Sequence, residues 1–252
     1  MYQTPYPQGN AQIQARAAPI DFAALETRAR AFLWKVHAWM SVGLALTGLV
    51  AMVSAAMAIT PDGAALTPFG EVLFSPVVRF GSLGLTFLLV LALSFLQGRL
   101  SPAVAGTLFL VYAAANGVWM SALFLVYTTT SIGTTFLVTA GTFGATSLFG
   151  FVTKRDLSGV GSFAFMGLIG LILASIVNFF LASPMLYWLI TFAGVAIFVG
   201  LTAYDTQKLR QMGATGLSGS GEASAAVHGA LTLYLDFINL FLFLLRLLGR
   251  RR

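Results

Sequence analysis

The chain has 252 residues, 58% apolar and only 9% charged, against about 25% charged in a typical soluble domain. So little charge excludes a water-soluble globule. The net charge of +6 lies in connections and at the two ends rather than in an aromatic-rich basic stripe, which argues against nucleic acid as a partner. The absence of cysteine excludes disulfides, thiol catalysis and thiolate metal sites.

Residues 1–31 are polar and rich in Gln, Ala and Pro. They read as a cytoplasmic tail, disordered at first and helical from Asp21, with residues 32–252 forming one membrane domain. A helix needs ~20 apolar residues to cross the hydrocarbon core, and seven stretches reach that length. The first, 36–59, is too long for a cleaved signal peptide and is broken by Pro61-Asp62-Gly63. The second, 78–98, ends at Gln97-Gly98-Arg99 before Ser101-Pro102. The third and fourth, 103–127 and 132–152, flank a short Thr-rich stretch, and Lys154-Arg155-Asp156 closes the fourth. The fifth, 161–182, stops before Ser183-Pro184. The sixth, 185–204, runs into Tyr204-Asp205-Thr206-Gln207, and the Gly/Ser content of 207–227 predicts a loop. The seventh, 229–248, ends in Gly249 and three arginines. The fold class is therefore an all-α membrane protein with seven transmembrane helices.

Basic residues set the orientation. Arg16, Arg28, Arg30 and Lys35 precede the first span; Arg99, Lys154, Arg155, Lys208 and Arg210 lie in alternate connections; the opposite connections carry only Arg79. Retention of Lys and Arg on the cytoplasmic side places the N-terminus inside. Seven complete spans would then leave Arg250, Arg251 and Arg252 outside, against that bias. The seventh segment either crosses regardless or enters and returns.

Ionisable groups at membrane depth are the informative residues, because they are costly there and mark pathways, relays or buried pairs. Asp236 lies inside LTLYLDFINLFLFLLRLL, about 10 Å along a helix started at residue 229. A carboxyl there must be neutral, paired or facing water. Taken alone, Asp205 reads as an interfacial residue opening a turn with Thr206 and Gln207, and Arg99 as a snorkelling anchor. With the N-terminus inside, Arg99, Asp205 and Asp236 all fall near the cytoplasmic face, available to one site. Two acids in a low-dielectric site share a proton and titrate as a unit, and carboxylates also suit a hard cation such as calcium.

The remaining polar residues have plainer readings. Asn116, Asn178 and Asn239 are expected as interhelical hydrogen-bond partners, and Gly81, Gly84, Gly117, Gly167 and Gly170 as close-packing positions. His37 and His228 read as interfacial, Trp34, Trp39 and Trp188 as aromatic belts, and Trp119 as packed. No HExxH, GxSxG or phosphate-binding loop occurs, so no enzyme is expected. The settings Ala-Tyr-Asp-Thr and Tyr-Leu-Asp-Phe also differ from the Gly-Leu-Gly-Asp of an intramembrane aspartyl protease.

FVGLTAYDTQKLR, residues 198–210, and LTLYLDFINLFLFLLRLLG, residues 231–249, resemble the Bax inhibitor-1 family. KRDLSGVGSF, residues 154–163, and LWKVHAWMSVGLALTG, residues 33–48, extend the resemblance over essentially the whole chain beyond the tail. It implies a C-terminal helix at the centre of six others and a pH-dependent calcium leak. It also implies a proton-sharing pair at Asp205 and Asp236, with Arg99 as its latch. No tightly bound cofactor is implied, and calcium enters as the permeant ion. The chain also resembles the subgroup containing a modulator of a membrane-bound AAA protease. That implies, as the alternative, a non-conducting regulator contacting such a protease through its N-terminal tail. A bacterial inner membrane is the expected location.

Overall fold

The computed structural model describes residues 21–60, 65–96 and 100–252. Among these, nine helices follow one another: α1 Phe22–Ala58, α2 Pro68–Leu73, α3 Pro76–Phe95, α4 Pro102–Met120, α5 Leu123–Val126, α6 Thr129–Val152, α7 Ser158–Leu181, α8 Pro184–Ala214 and α9 Gly219–Leu248. Seven spans are long and apolar enough to cross a membrane, with α4 and α5 forming one of them. The protein is an all-α, multi-pass membrane protein.

Local chemistry starts and stops these helices. The Asp21 side chain caps α1 by accepting from Ala24 N–H at 3.1 Å. Residues 22–31 of the polar head are therefore continuous with the first span. Residues 1–20 lie outside the described residues. Ser75, Ser101 and Ser183 each cap a helix whose first residue is proline, a position where a missing N–H costs nothing. The expected third segment is interrupted rather than continuous. Ser121 N–H reaches both Gly117 and Val118 carbonyls, tightening the turn that ends α4.

The sixth span does not stop at Tyr204. α8 continues through Asp205 to Ala214, so the predicted loop 207–227 shrinks to residues 215–218. The Gly/Ser content was misleading because this stretch also carries apolar residues at helical spacing. Leu209, Ala226 and Val227 are buried, Gly213 lies against Ala29 and Phe32 of α1, and Gly229 lies against Leu209 and Val36. A Lys35–Glu222 ion pair at 2.7 Å adds a link from α1 to α9. Gly216 and Gly219, at φ +79° and +61°, supply the left-handed backbone that reverses the chain between the two helices.

α9 is the most deeply buried span and packs against α1, α4, α6 and α8. α3 packs mainly on α4 and α7 on α8, with nearly all their apolar side chains directed outward. Lipid accepts such surfaces, so burial here follows contact with neighbouring helices rather than hydrophobicity. Tyr234 of α9 is fully buried at the middle of the bundle. Asn116 Nδ2 donates to its hydroxyl at 2.9 Å, and that hydroxyl lies 2.7 Å from Thr47 Oγ1. Thr47 in turn donates to backbone carbonyls of Gly43 and Ala113, both at 2.9 Å. Three helices are thereby joined through fully satisfied polar groups, as the apolar surroundings require.

The seventh span, α9, runs from one end of the bundle to the other rather than entering and returning. Gly249 to Arg252 turn back along the α5–α6 connection: Arg252 N–H donates to the Val126 carbonyl at 3.0 Å and Thr128 N–H to the Arg250 carbonyl at 3.2 Å. The three terminal arginines therefore lie at the end of the bundle opposite the start of α1.

The small residues divide. Gly117 meets the Thr47 carbonyl and Val50 of α1, and Gly167 meets Ile197, as close packing demands. Gly81, Gly84 and Gly170 have open space around them and do not serve helix contact within the described residues. Of the three asparagines, only Asn116 bonds across helices. Asn178 accepts from Ser183 N–H at the α7–α8 turn, and Asn239 donates to Leu235 in its own helix.

Candidate functional site

Asp205 sits about 31 Å along α8 from Pro184, roughly the thickness of a hydrocarbon core. It is half-buried in mid-helix rather than at a helix end. Asp236 of α9 is 4% exposed. The two carboxyls lie close enough to interact directly. Ionised carboxylates only accept, so a bond between them requires a proton on one. Asp236 Oδ2 is buried with no N–H or O–H partner on the described residues. The carboxyl of Asp205 is thus its available neighbour.

The residues after Asp205 are tied to other helices instead of forming a turn. Thr206 Oγ1 donates to Ser147 Oγ of α6 at 3.1 Å. Gln207 accepts from Leu157 N–H at 2.9 Å and donates to the Arg155 carbonyl at 2.8 Å, fixing the α6–α7 connection. Ser147 Oγ lies 3.1 Å from His37 Nε2, while His37 Nδ1 lies 2.9 Å from the Leu33 carbonyl. A carbonyl only accepts, so Nδ1 carries the proton and Nε2 accepts from Ser147. A directed chain, Thr206 to Ser147 to His37, joins α8, α6 and α1 beside the carboxyl pair. Phe143 packs between His37 and Phe237, with ring centroids 6.5 and 5.5 Å away, and walls this chain with apolar surface.

Lys208 lies beside Asp205 and also beside His228. The Leu93 carbonyl of α3 approaches the His228 ring, whose Nδ1 is buried without a partner on the described residues. Ser224 Oγ donates to the Leu100 carbonyl at 2.9 Å. The chain on either side of residues 97–99 therefore lies along α9 at this end. Arg99 itself lies outside the described residues.

Of the expected site residues, Asp205 and Asp236 come together. Thr206 and Lys208 flank Asp205 in α8, and His37, Ser147 and His228, which the sequence does not mark as site residues, extend the polar contacts toward α1, α6 and α3. His37 and His228 read as interfacial because each stands near the start of an apolar run. Ser147 carries no signal at all, since serine is ordinary in a membrane helix. Among the described residues, no three His, Cys, Asp or Glu side chains converge as a metal site.

A family model described as inhibitor of apoptosis-promoting Bax1 matches residues 29–252, including every residue of this site. The chain belongs to the Bax inhibitor-1 family. Among its relatives is the inner membrane protein YbhL of Escherichia coli strain K12, 46% identical over 98% of this chain and 99% of the relative. An uncharacterised protein of Deinococcus radiodurans is 44% identical over 86% of this chain and 90% of its own length. An uncharacterised protein of Rickettsia prowazekii is 42% identical over 88% and 91%. Bax inhibitor-1 membership and the multi-pass architecture agree, and the name of the first relative places that protein in an inner membrane.

Proposed function

We propose that this Bax inhibitor-1 family member is a pH-sensitive cation leak, gated by a proton shared between Asp205 and Asp236, with calcium as the permeant ion and the N-terminus in the cytoplasm. The observation that carries this reading is the carboxyl pair between α8 and α9, in which Asp236 is buried and its Oδ2 has no other partner among the described residues. With the proton in place the pair holds the central helix against α8. Loss of the proton leaves two like charges facing each other across a poorly solvated contact. Repulsion then favours separation of α9 from α8, and the same charges attract cations into the gap. Two carboxylates provide fewer oxygens than the six to eight of a resident calcium site, which suits an ion that passes rather than stays. Lys208 moderates the charge on the Asp205 side.

The test is calcium flux into vesicles containing the purified protein across a range of pH. Flux should rise as pH rises. Asp205→Asn and Asp236→Asn each replace a titrating group by a neutral one and should abolish the pH response. Unchanged flux and unchanged pH response in both variants would remove the mechanism.

A further inference from the structure

At the end of the bundle opposite the start of α1, a cleft of about 540 Å³ opens between the α7–α8 turn and the end of α9. Asn178, Ser183, Tyr187, Trp188, Arg246 and Arg251 line it. We propose that this cleft binds the headgroup phosphate of an anionic phospholipid.

The charge there is unanswered. Among the described residues, the only ion pairs are Arg30–Glu26 and Lys35–Glu222, both remote from this end. Arg246 and Arg251 thus face the cleft without a carboxylate. Both are exposed, yet the Arg246 side chain and the Arg251 backbone are each held in place. The Arg246 guanidinium stands over the Phe243 ring at 5.2 Å and the Tyr187 ring at 6.0 Å, contacts that use no N–H donor in a hydrogen bond. The backbone around Arg251 is pinned: it bridges to Tyr127, and Arg250 N–H donates to Ser131 Oγ at 2.8 Å. Asn178 adds an oriented donor. Its Oδ1 is committed to Ser183 N–H at 3.0 Å, so Nδ2 is left free of any bond within the described residues. Two guanidinium groups and an amide N–H line one cleft with no ion pair among the described residues, and planar guanidinium suits phosphate.

The surroundings select the source of the phosphate. Phe179, Phe180 and Met185 beside the cleft are 80–83% exposed and turn outward with the apolar faces of α7 and α8. Tyr187 and Trp188 occupy the rim, the position aromatic residues take at headgroup level. A phosphate in the cleft therefore has acyl-chain surface directly adjacent, as a lipid requires and a free anion does not. This also gives Arg251, one of the three terminal arginines that stand against the charge bias of the rest of the chain, a ligand at this end.

The full-length protein in detergent is given equal amounts of phosphatidylglycerol and phosphatidylcholine, and retained lipid is read by native mass spectrometry. Preferential retention of phosphatidylglycerol is expected. The double variant R246Q/R251Q should weaken that retention about ten-fold, as loss of charge-assisted bonds to phosphate predicts. R79Q, at another site on the same end, should leave it unchanged. Unaltered melting of R246Q/R251Q in phosphatidylcholine alone checks that the fold is intact; should it be disturbed, R246K, which keeps the charge but loses the planar stack, is expected to weaken retention to an intermediate degree. Equal retention of the two lipids by the unaltered protein, or equal phosphatidylglycerol retention by the variants, overturns the proposal. Displacement of phosphatidylglycerol by an equal concentration of inorganic phosphate also overturns it, by assigning the cleft to the free anion.

Discussion

Gly150 of α6 and Ala203 of α8 meet backbone against backbone, two residues before Asp205. A Cβ on Gly150 would land on the Ala203 carbonyl oxygen. Backbone cannot swing aside as a side-chain tip can, so Gly150→Ala must push the two helices apart. Overpacking of this kind costs about 1–3 kcal/mol, or a fall in melting temperature of roughly 2–10 °C for a chain of this size. The same displacement stretches the Thr206–Ser147 bond one turn away. Melting should therefore fall together with a change in the pH response of flux. A variant with unchanged melting would show that the crossing is looser than its geometry.

Tyr234→Phe removes the hydroxyl on which Asn116 of α4 and Thr47 of α1 converge. Thr47 keeps its carbonyl acceptors, but Asn116 Nδ2 loses its partner in an apolar interior. Polar contacts of this type within membranes contribute about 0.6–1.7 kcal/mol, and the stranded amide adds its desolvation. A loss of about 1–2 kcal/mol is expected. The effects should not add: Asn116→Leu/Tyr234→Phe should be less destabilised than the sum of the single variants, because the stranded donor is gone. Additive losses in a double-mutant cycle would dissolve the network.

The number of spans and the presence of an acid inside an apolar run are legible because both depend on polarity along the chain. An apolar run of bilayer length announces itself, and so does Asp236 inside one. Depth and partnership were not legible. Asp205 reads as terminal because Thr206, Gln207 and a Gly/Ser-rich stretch follow it, yet α8 continues because Leu209 and Gly213 are held against neighbouring helices. His37 looked interfacial because its partner, Ser147, lies 110 residues away and has no sequence signature. The terminal arginines leave two readings open, a full crossing against the charge bias or a segment that enters and returns. Only their hydrogen bonds to the α5–α6 connection fix them at the far end.

Asp156, in the α6–α7 connection, accepts at Oδ1 from Ser158 N–H at 2.9 Å and from Ser158 Oγ at 2.7 Å. Both bonds favour the ionised form and hold this carboxyl below its ordinary value of 3.8. As pH falls, the unfolded chain therefore takes up its proton first. The turn's contribution is full above about pH 4 and is lost as pH falls through the lower folded value. The Ser158 amide resonance should titrate with a midpoint below 3.8, and Asp156→Asn should flatten that titration while leaving the neutral-pH spectrum nearly unchanged. A midpoint above 3.8 would contradict the two hydrogen bonds.

The N-terminal segment separates a conducting protein from a regulator that acts through a membrane-bound AAA protease. Truncation after residue 30 is a poor test, because it removes the Asp21 cap and Ala29, which is 1% exposed and packs where α1 meets Gly213. Loss of function there would report damage to α1. Truncation after residue 20 keeps both features, so melting should stay within about 2 °C of the full chain, the shift expected for well under 1 kcal/mol. With the fold intact, the carboxyl pair and its surroundings are untouched, and calcium flux with its pH response should persist. Loss of flux at unchanged melting would place a conducting element in residues 1–20. Loss of protease capture with flux retained would give the segment a docking role separate from the leak.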